Sequence, residues 1–213
     1  MQILSFSLGE LQANCYLLIK DNECLLIDPA DEASFLLEEI ARRNLNLVGM
    51  LATHGHFDHI MAVGEIQLTY PKIPLYISSK DKFLLDRLQA TAEYFLGRQL
   101  IITAPKLVRS VNRRDVINHV STYEIEIIYV PGHTPGSVCF YFPKDRILFT
   151  GDLIFKDGIG RYDFSYSNKK QLFNSIKQII KSIPDDVVIY PGHGENTSIK
   201  LEKINLLQYD NIM

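Results

Sequence analysis

The heptapeptide Thr53-His54-Gly55-His56-Phe57-Asp58-His59 sets three histidines and an aspartate within seven positions. It follows Asn46–Ala52, a nearly continuous apolar run that reads as a buried strand. It precedes a helix expected from about Asp58 to Tyr70, closed by Pro71. On a helix, residues two apart lie roughly 200° apart, and His54 and His56 could not grip one ion. In an extended or turning loop they point the same way, and Gly55 lets the backbone turn tightly between them. Asp58 and His59, at the start of the next helix, are aimed differently. That suggests a second ion position beside the first.

Working outward, His133 sits in Gly132-His133-Thr134-Pro135-Gly136 and His193 in Pro191-Gly192-His193-Gly194. Each follows an expected strand, Tyr123–Val130 and Val187–Tyr190, while Gly151-Asp152 follows a third, Arg146–Thr150. Of the six histidines only His119 stands apart, in a polar turn beside Asn118, and it is read as having no role. If these strands lie side by side, their C-terminal ends meet at one edge of the molecule. His54, His56 and His133 could then hold one ion, Asp58, His59 and His193 a second, and Asp152 both. Imidazole and carboxylate suit zinc first, with iron or manganese compatible. Two ions about 3.5–4 Å apart are a usual device for hydrolysis. Thr53, Thr134 and Ser137 are candidates to orient the imidazoles. Cys15, Cys24 and Cys139 lie in strand patterns and read as small core residues.

The rest of the chain supplies an α/β frame. Asn14–Ile19 and Glu23–Asp28 form a hairpin across Lys20-Asp21-Asn22, and Asp31 is the expected cap of a helix over Glu32–Asn44. Leu75–Ile77 and Ser137–Phe142 read as strands. Helices are expected over Ser79–Leu96, over Lys169–Ser182 with Asn168 or Ser167 as cap, and over Thr197–Leu207. No linker or repeat divides the chain, so residues 1–213 are expected to form one domain. With 46% hydrophobic and 22% charged residues, the composition excludes a disordered tail, a coiled coil and a collagen-like fibre. A net charge of −3 offers no field for nucleic acid or an anionic membrane, so a small-molecule substrate is the expected partner. No apolar run approaches the roughly 18 residues of a membrane span. The first residues lack a basic, cleavable leader, and the cysteine count is odd; both point to the cytoplasm. Nothing in the sequence fixes an oligomeric state.

THGHFDH matches the H-x-H-x-D-H signature of the metallo-β-lactamase superfamily, and GHTPGS, GD and PGHG follow in that family's order. The resemblance implies an α/β fold, a four-layer αβ/βα sandwich of two mixed sheets with outer helices, with metals at one edge of the sheets. Within the superfamily, GDLIFKDGIGRYDF is similar to the corresponding stretch of glyoxalase II-like hydrolases, the hydroxyacylglutathione hydrolases, which cleave thioesters. It assigns His54, His56 and His133 to a first metal, Asp58, His59 and His193 to a second, and Asp152 to both. Asp58 and Asp152 are then the catalytic carboxylates beside a metal-bound hydroxide. Phe155, Lys156, Arg161 and Tyr162 are the candidate substrate contacts.

Two departures concern the substrate. About 20 residues follow His193, too few for the helices that contact glutathione in the long glyoxalase II enzymes, and Glu195 stands where those enzymes commonly carry a tyrosine. Arg161 is the cation of the substrate loop, with a structural pair to Asp163 as its alternative role. The expected reaction is attack of a hydroxide, activated by two ions, on an acyl carbon, with a thiolate leaving unaided. The nearest rival is an iron-dependent persulfide dioxygenase, which this chain resembles through Gly160-Arg161-x-Asp163-Phe164. That chemistry needs one iron on two histidines and an aspartate, so a complete second ligand set counts against it. A lactone or phosphoester substrate is a further reading. A β-lactamase, a nuclease and a non-enzymatic metal-binding protein rank lower.

Overall fold

Alternating side chains along successive strands enter different cores, and that alternation builds the layers. The computed structural model describes residues 1–111, 120 and 123–206. Strands β1 (Gln2–Leu8), β2 (Ala13–Lys20), β3 (Glu23–Ile27), β4 (Asn46–Leu51), β5 (Leu75–Ile77) and β6 (Val108–Ser110) form one sheet in that order. It is antiparallel from β1 to β3 and parallel from β3 to β6. Then come β7 (Glu126–Tyr129), β8 (Val138–Phe142), β9 (Ile147–Gly151), the ribbon β10 (Ile154–Phe155) and β11 (Gly158–Ile159), β12 (Val188–Pro191) and β13 (Thr197–Ser198). The second sheet runs β13-β12-β9-β8-β7, parallel only between β12 and β9. Both sheets are mixed, as expected.

On β2, Cys15 and Leu17 face one core while Tyr16 and Leu18 face another; on β8, Phe140 and Phe142 face that second core while Cys139 and Tyr141 face a third. The middle core lies between the sheets. Helices α1 (Ala33–Arg42), α2 (Phe57–Ile60), α3 (Val63–Thr69), α4 (Lys82–Leu85) and α5 (Leu88–Leu96) follow strands of the first sheet. Leu36, Ile40, Val63, Ile66 and Leu88 from these helices fill the first core. Helix α6 (Lys169–Ser182), capped by Asn168 accepting from the Gln171 N–H, puts Leu172, Ile176 and Ile179 into the third, joined by Ile199 of α7 (Ile199–Asn205). Each such residue contributes about 1.5–3 kcal/mol of burial. The four layers are helix, sheet, sheet and helix. The three cysteines are free and buried, as their strand positions implied.

Several boundaries differ from expectation for local reasons. The helix expected over Asp58–Tyr70 is two helices, because the Ala62 N–H donates to the Pro29 carbonyl (3.2 Å). The span Ser79–Leu96 opens with a single tight turn, Ser79–Asp81, and then divides into α4 and α5. There the Arg87 N–H bonds the Leu84 carbonyl, three residues back. Asp31 does not cap α1; Glu32 takes that place in a left-handed conformation. Only Glu126–Tyr129 of Tyr123–Val130 pairs as strand, and Thr197–Leu207 begins as β13 before turning helical at Ile199. His119 and Leu207 lie outside the described residues.

Candidate metal centre

The two sheets are stitched together at one edge: the Val138 N–H donates to the Thr53 carbonyl (2.8 Å), and the Asn14 N–H to the Gly192 carbonyl (2.7 Å). All seven candidate ligands lie at this edge. His54 and His56 follow β4, and Asp58 and His59 sit on α2. His133 follows β7, Asp152 follows β9, and His193 follows β12. His54, His56, His133 and Asp152 form one group and Asp58, His59 and His193 another, each with ligand atoms within 4.8 Å of one another.

Nε2 of His54 and Nε2 of His133 each stand 3.0 Å from Nδ1 of His56, and Asp152 Oδ2 lies 3.4 Å from His133 Nε2. Donors around one ion at roughly 2.0–2.1 Å would stand about 3.3 Å apart. In the second group, Asp58 Oδ2 lies 3.4 Å from His193 Nε2 and 3.7 Å from His59 Nε2. Asp152 spans both groups, its Oδ1 3.4 Å from His59 Nε2 and its Oδ2 3.8 Å from His193 Nε2. His59 Nε2 and Asp152 Oδ1 are buried and have no hydrogen-bond partner. Buried polar atoms are ordinarily satisfied, so two orphaned atoms aimed at the same space fit a cation between them. A Cβ at position 192 would stand 2.2 Å from Asp152 Oδ1 and 2.8 Å from His59 Cε1, so glycine there keeps the space open.

The outer ring nitrogens explain why the inner ones present lone pairs. Thr53 Oγ1 donates to Asp28 Oδ2 (2.7 Å) and can accept from His54 Nδ1 (3.1 Å). His59 Nδ1 faces Asp28 Oδ2 (3.0 Å), and His133 Nδ1 faces the Arg161 carbonyl (2.8 Å). His56 is reversed: its Nε2 meets the Tyr166 hydroxyl (2.7 Å), turning Nδ1 inward. Burial and the neighbouring imidazoles hold His54 well below the usual histidine range and His56 down to about 3. Both therefore stay neutral, the form that binds metal. Burial opposes charge on His59 too, but Asp58, Asp152 and Asp28 outweigh it and lift the ring to about 10, so this half of the centre calls for positive charge.

Of the expected orienting groups, Thr53 touches a ligand, whereas Thr134 and Ser137 act at one remove. Thr134 Oγ1 donates to Asp81 Oδ2 (2.7 Å) and pairs with Ser137 Oγ (2.8 Å). Asp81, fully buried, also accepts from the N–H groups of Gly55 (2.9 Å) and Gly136 (2.7 Å), tying the His54–His56 turn to the His133 loop. Sequence reasoning missed Asp28, Asp81 and Tyr166. Asp28 alone carried a signal, since it leaves a strand immediately before Pro29, as the ligands leave theirs.

Above the ligands lies a cavity of about 330 Å³, lined by His56, Asp58, His133, Asp152 and His193 on its floor. Of the four candidate substrate contacts, Phe155 and Arg161 line it. The other two expected contacts do not. Lys156 pairs with Glu195, and Tyr162 packs against Phe173 with Lys169 over its ring. Arg161 also forms the pair with Asp163, through two bonds of 2.9 Å. No helix among the described residues is long and apolar enough to cross a membrane.

Comparison with known proteins places the fold in a family. Residues 8–193 match the Metallo-beta-lactamase superfamily. The chain is 34% identical over 204 residues to hydroxyacylglutathione hydrolase GloC of Haemophilus influenzae, covering 95% of each protein. It is 32% identical over 195 residues to the probable metallo-hydrolase YqgX of Bacillus subtilis, covering 92% of this chain and 91% of that protein. Among solved structures, it superposes with TM-score 0.82 on TTHA1623 in a di-iron-bound form, at 33% identity over 94% of this chain and 96% of that one. It superposes with TM-score 0.72 on ETHE1 from Myxococcus xanthus, at 26% identity over 95% and 82%.

Proposed function

We propose, because this chain belongs to the metallo-β-lactamase superfamily, that it is a dinuclear metal-dependent hydrolase of small-molecule thioesters. The observation that carries the reading is the pair of ligand groups sharing Asp152 on the floor of one cavity. When bound, two divalent ions supply Lewis acidity and bring the pKa of a bound water to about 7. His54, His56 and His133 would hold one ion, Asp58, His59 and His193 the other, and Asp152 would serve both. The ligand types accept zinc, iron or manganese, and TTHA1623 supplies a precedent for iron.

The chain's own residues orient and exclude. Asp28, Thr53, Tyr166 and the Arg161 carbonyl fix four of the imidazoles, so each inner nitrogen is pre-aimed. Asp58 stays ionised although burial opposes it, because His59 and His193 hold its carboxyl below the usual range; it therefore binds cations and does not donate a proton. No other acid is required if the leaving group is a thiolate, whose conjugate acid has a pKa of about 8.5. Within this reading residues 1–213 act as one domain, and the cytoplasm is the compartment.

The relative GloC makes a hydroxyacylglutathione the first substrate to try. Protein loaded separately with zinc, iron and manganese is expected to hydrolyse lactoylglutathione or a related thioester, and chelation is expected to stop it. A second reading, an iron-dependent persulfide dioxygenase, is favoured by the likeness to ETHE1. Iron-dependent oxygen uptake with glutathione persulfide, with no thioester hydrolysis by any metal form, would replace the first reading with the second.

A further inference from the structure

We propose that the substrate arm this chain recognises is uncharged and apolar, an aryl or branched alkyl group, and not an anionic peptide such as glutathione. The inference rests on the thioester reading and concerns only what flanks the reacting carbon. It comes from the wall of the cavity. Above the floor stand Leu11, Phe57, Phe95, Phe155 and Phe164. Phe57 stacks on Phe95 (5.9 Å, 22° between planes), and Phe95 meets Phe164 edge to face (6.4 Å, 82°). Phe155 lies across the floor, 6.2 Å from the His193 ring. Phe57, Phe95 and Phe164 therefore form one connected aromatic run on the wall, and Phe155 stands beside His193. Phe95 remains 46% exposed and Leu11 43%. An apolar arm laid across them removes that surface from water, and a charged peptide arm does not.

The charges point the same way. Arg161 is the one cation among the lining residues; Nε and Nη2 both donate to Asp163, and its guanidinium lies 4.5 Å over the Phe164 ring. Lys156, beside Phe155 in sequence, is held by Glu195. Both cations of this stretch thus already have a carboxylate partner. A glutathione arm brings two further carboxylates and finds both cations already paired. These exposed pairs are individually weak, so they can open. The aromatic wall, however, offers an anion nothing in return, because ring faces carry negative potential.

The test uses the full-length, metal-loaded protein and two thioesters of the same hydroxyacyl group, one of benzyl mercaptan and one of glutathione. The benzyl thioester is expected to show kcat/KM about tenfold or more above the glutathione thioester, mainly through KM. Phe95→Ser should shrink that ratio severalfold. Asp163→Asn combined with Glu195→Gln should raise turnover of the glutathione thioester, because it releases both cations. Equal or better turnover of the glutathione thioester by the unmodified protein would overturn the inference. If neither thioester turns over, the thioester reading fails, and binding decides the arm by itself: quenching of tyrosine fluorescence should then show the benzyl compound binding more tightly. Tighter binding of the glutathione compound would overturn it.

Discussion

Asp152→Ala should lower kcat/KM for metal-dependent turnover by about 10³-fold or more, roughly 4 kcal/mol of transition-state stabilisation. Six of the seven candidate ligands serve a single group, whereas Asp152 addresses both. Its Oδ2 faces His133 Nε2 at 3.4 Å, and its Oδ1 faces the otherwise unpartnered His59 Nε2 at 3.4 Å. Without it, each group loses its shared anion and the two positions are no longer coupled. Asp152→Asn keeps the shape but not the charge and should fall between the variant and the parent. Steady-state kinetics on metal-loaded protein checks this, with circular dichroism to show that the fold is retained. A folded alanine variant keeping more than a tenth of parental activity would contradict the role.

Asp81→Ala should destabilise the fold by about 3–5 kcal/mol, since each buried donor left unsatisfied costs roughly 1–3 kcal/mol. Three donors depend on this one carboxylate: the Gly55 N–H, the Thr134 hydroxyl and the Gly136 N–H. For a chain of this size, 1 kcal/mol corresponds to about 2–4 °C, so Tm should drop by about 10 °C. Asp86, whose pair with Lys82 is exposed on both sides, is the control, and its alanine variant should change stability by less than about 1 kcal/mol. Thermal unfolding of metal-free protein measures the difference directly. Equal Tm values for the two variants would show that Asp81 does not anchor the loops.

How much of this could be read from sequence depends on how local each signal is. The candidate ligands were legible because His54, His133, Asp152 and His193 each follow a strand at a turn, and the parallel pair β9 and β12 carries Asp152 and His193 to one edge. The layers were legible for a related reason, since alternating side chains on β2, β8 and β9 sort into three cores. Asp81 was not legible. Its partners lie 26 to 55 residues away, and nothing in Ser79-Lys80-Asp81 distinguishes it from an exposed turn. The break after α2 was hidden likewise, because it is made by the Pro29 carbonyl and not by a local breaker. Sequence proximity to Phe155 and Arg161 does not bring Lys156 and Tyr162 to the cavity wall. Phe155 ends β10 and reaches the cavity, whereas Lys156 lies in the turn that follows and pairs with Glu195.

The most direct test is metal stoichiometry. The protein should be loaded in turn with zinc, iron and manganese, dialysed, and its metal content measured by elemental analysis against protein concentration. At least one of these metals should be retained at about two ions per chain, falling to one or fewer in Asp152→Ala. Retention of less than one ion per chain for all three metals, with the seven ligands intact and the protein folded, would contradict the dinuclear centre.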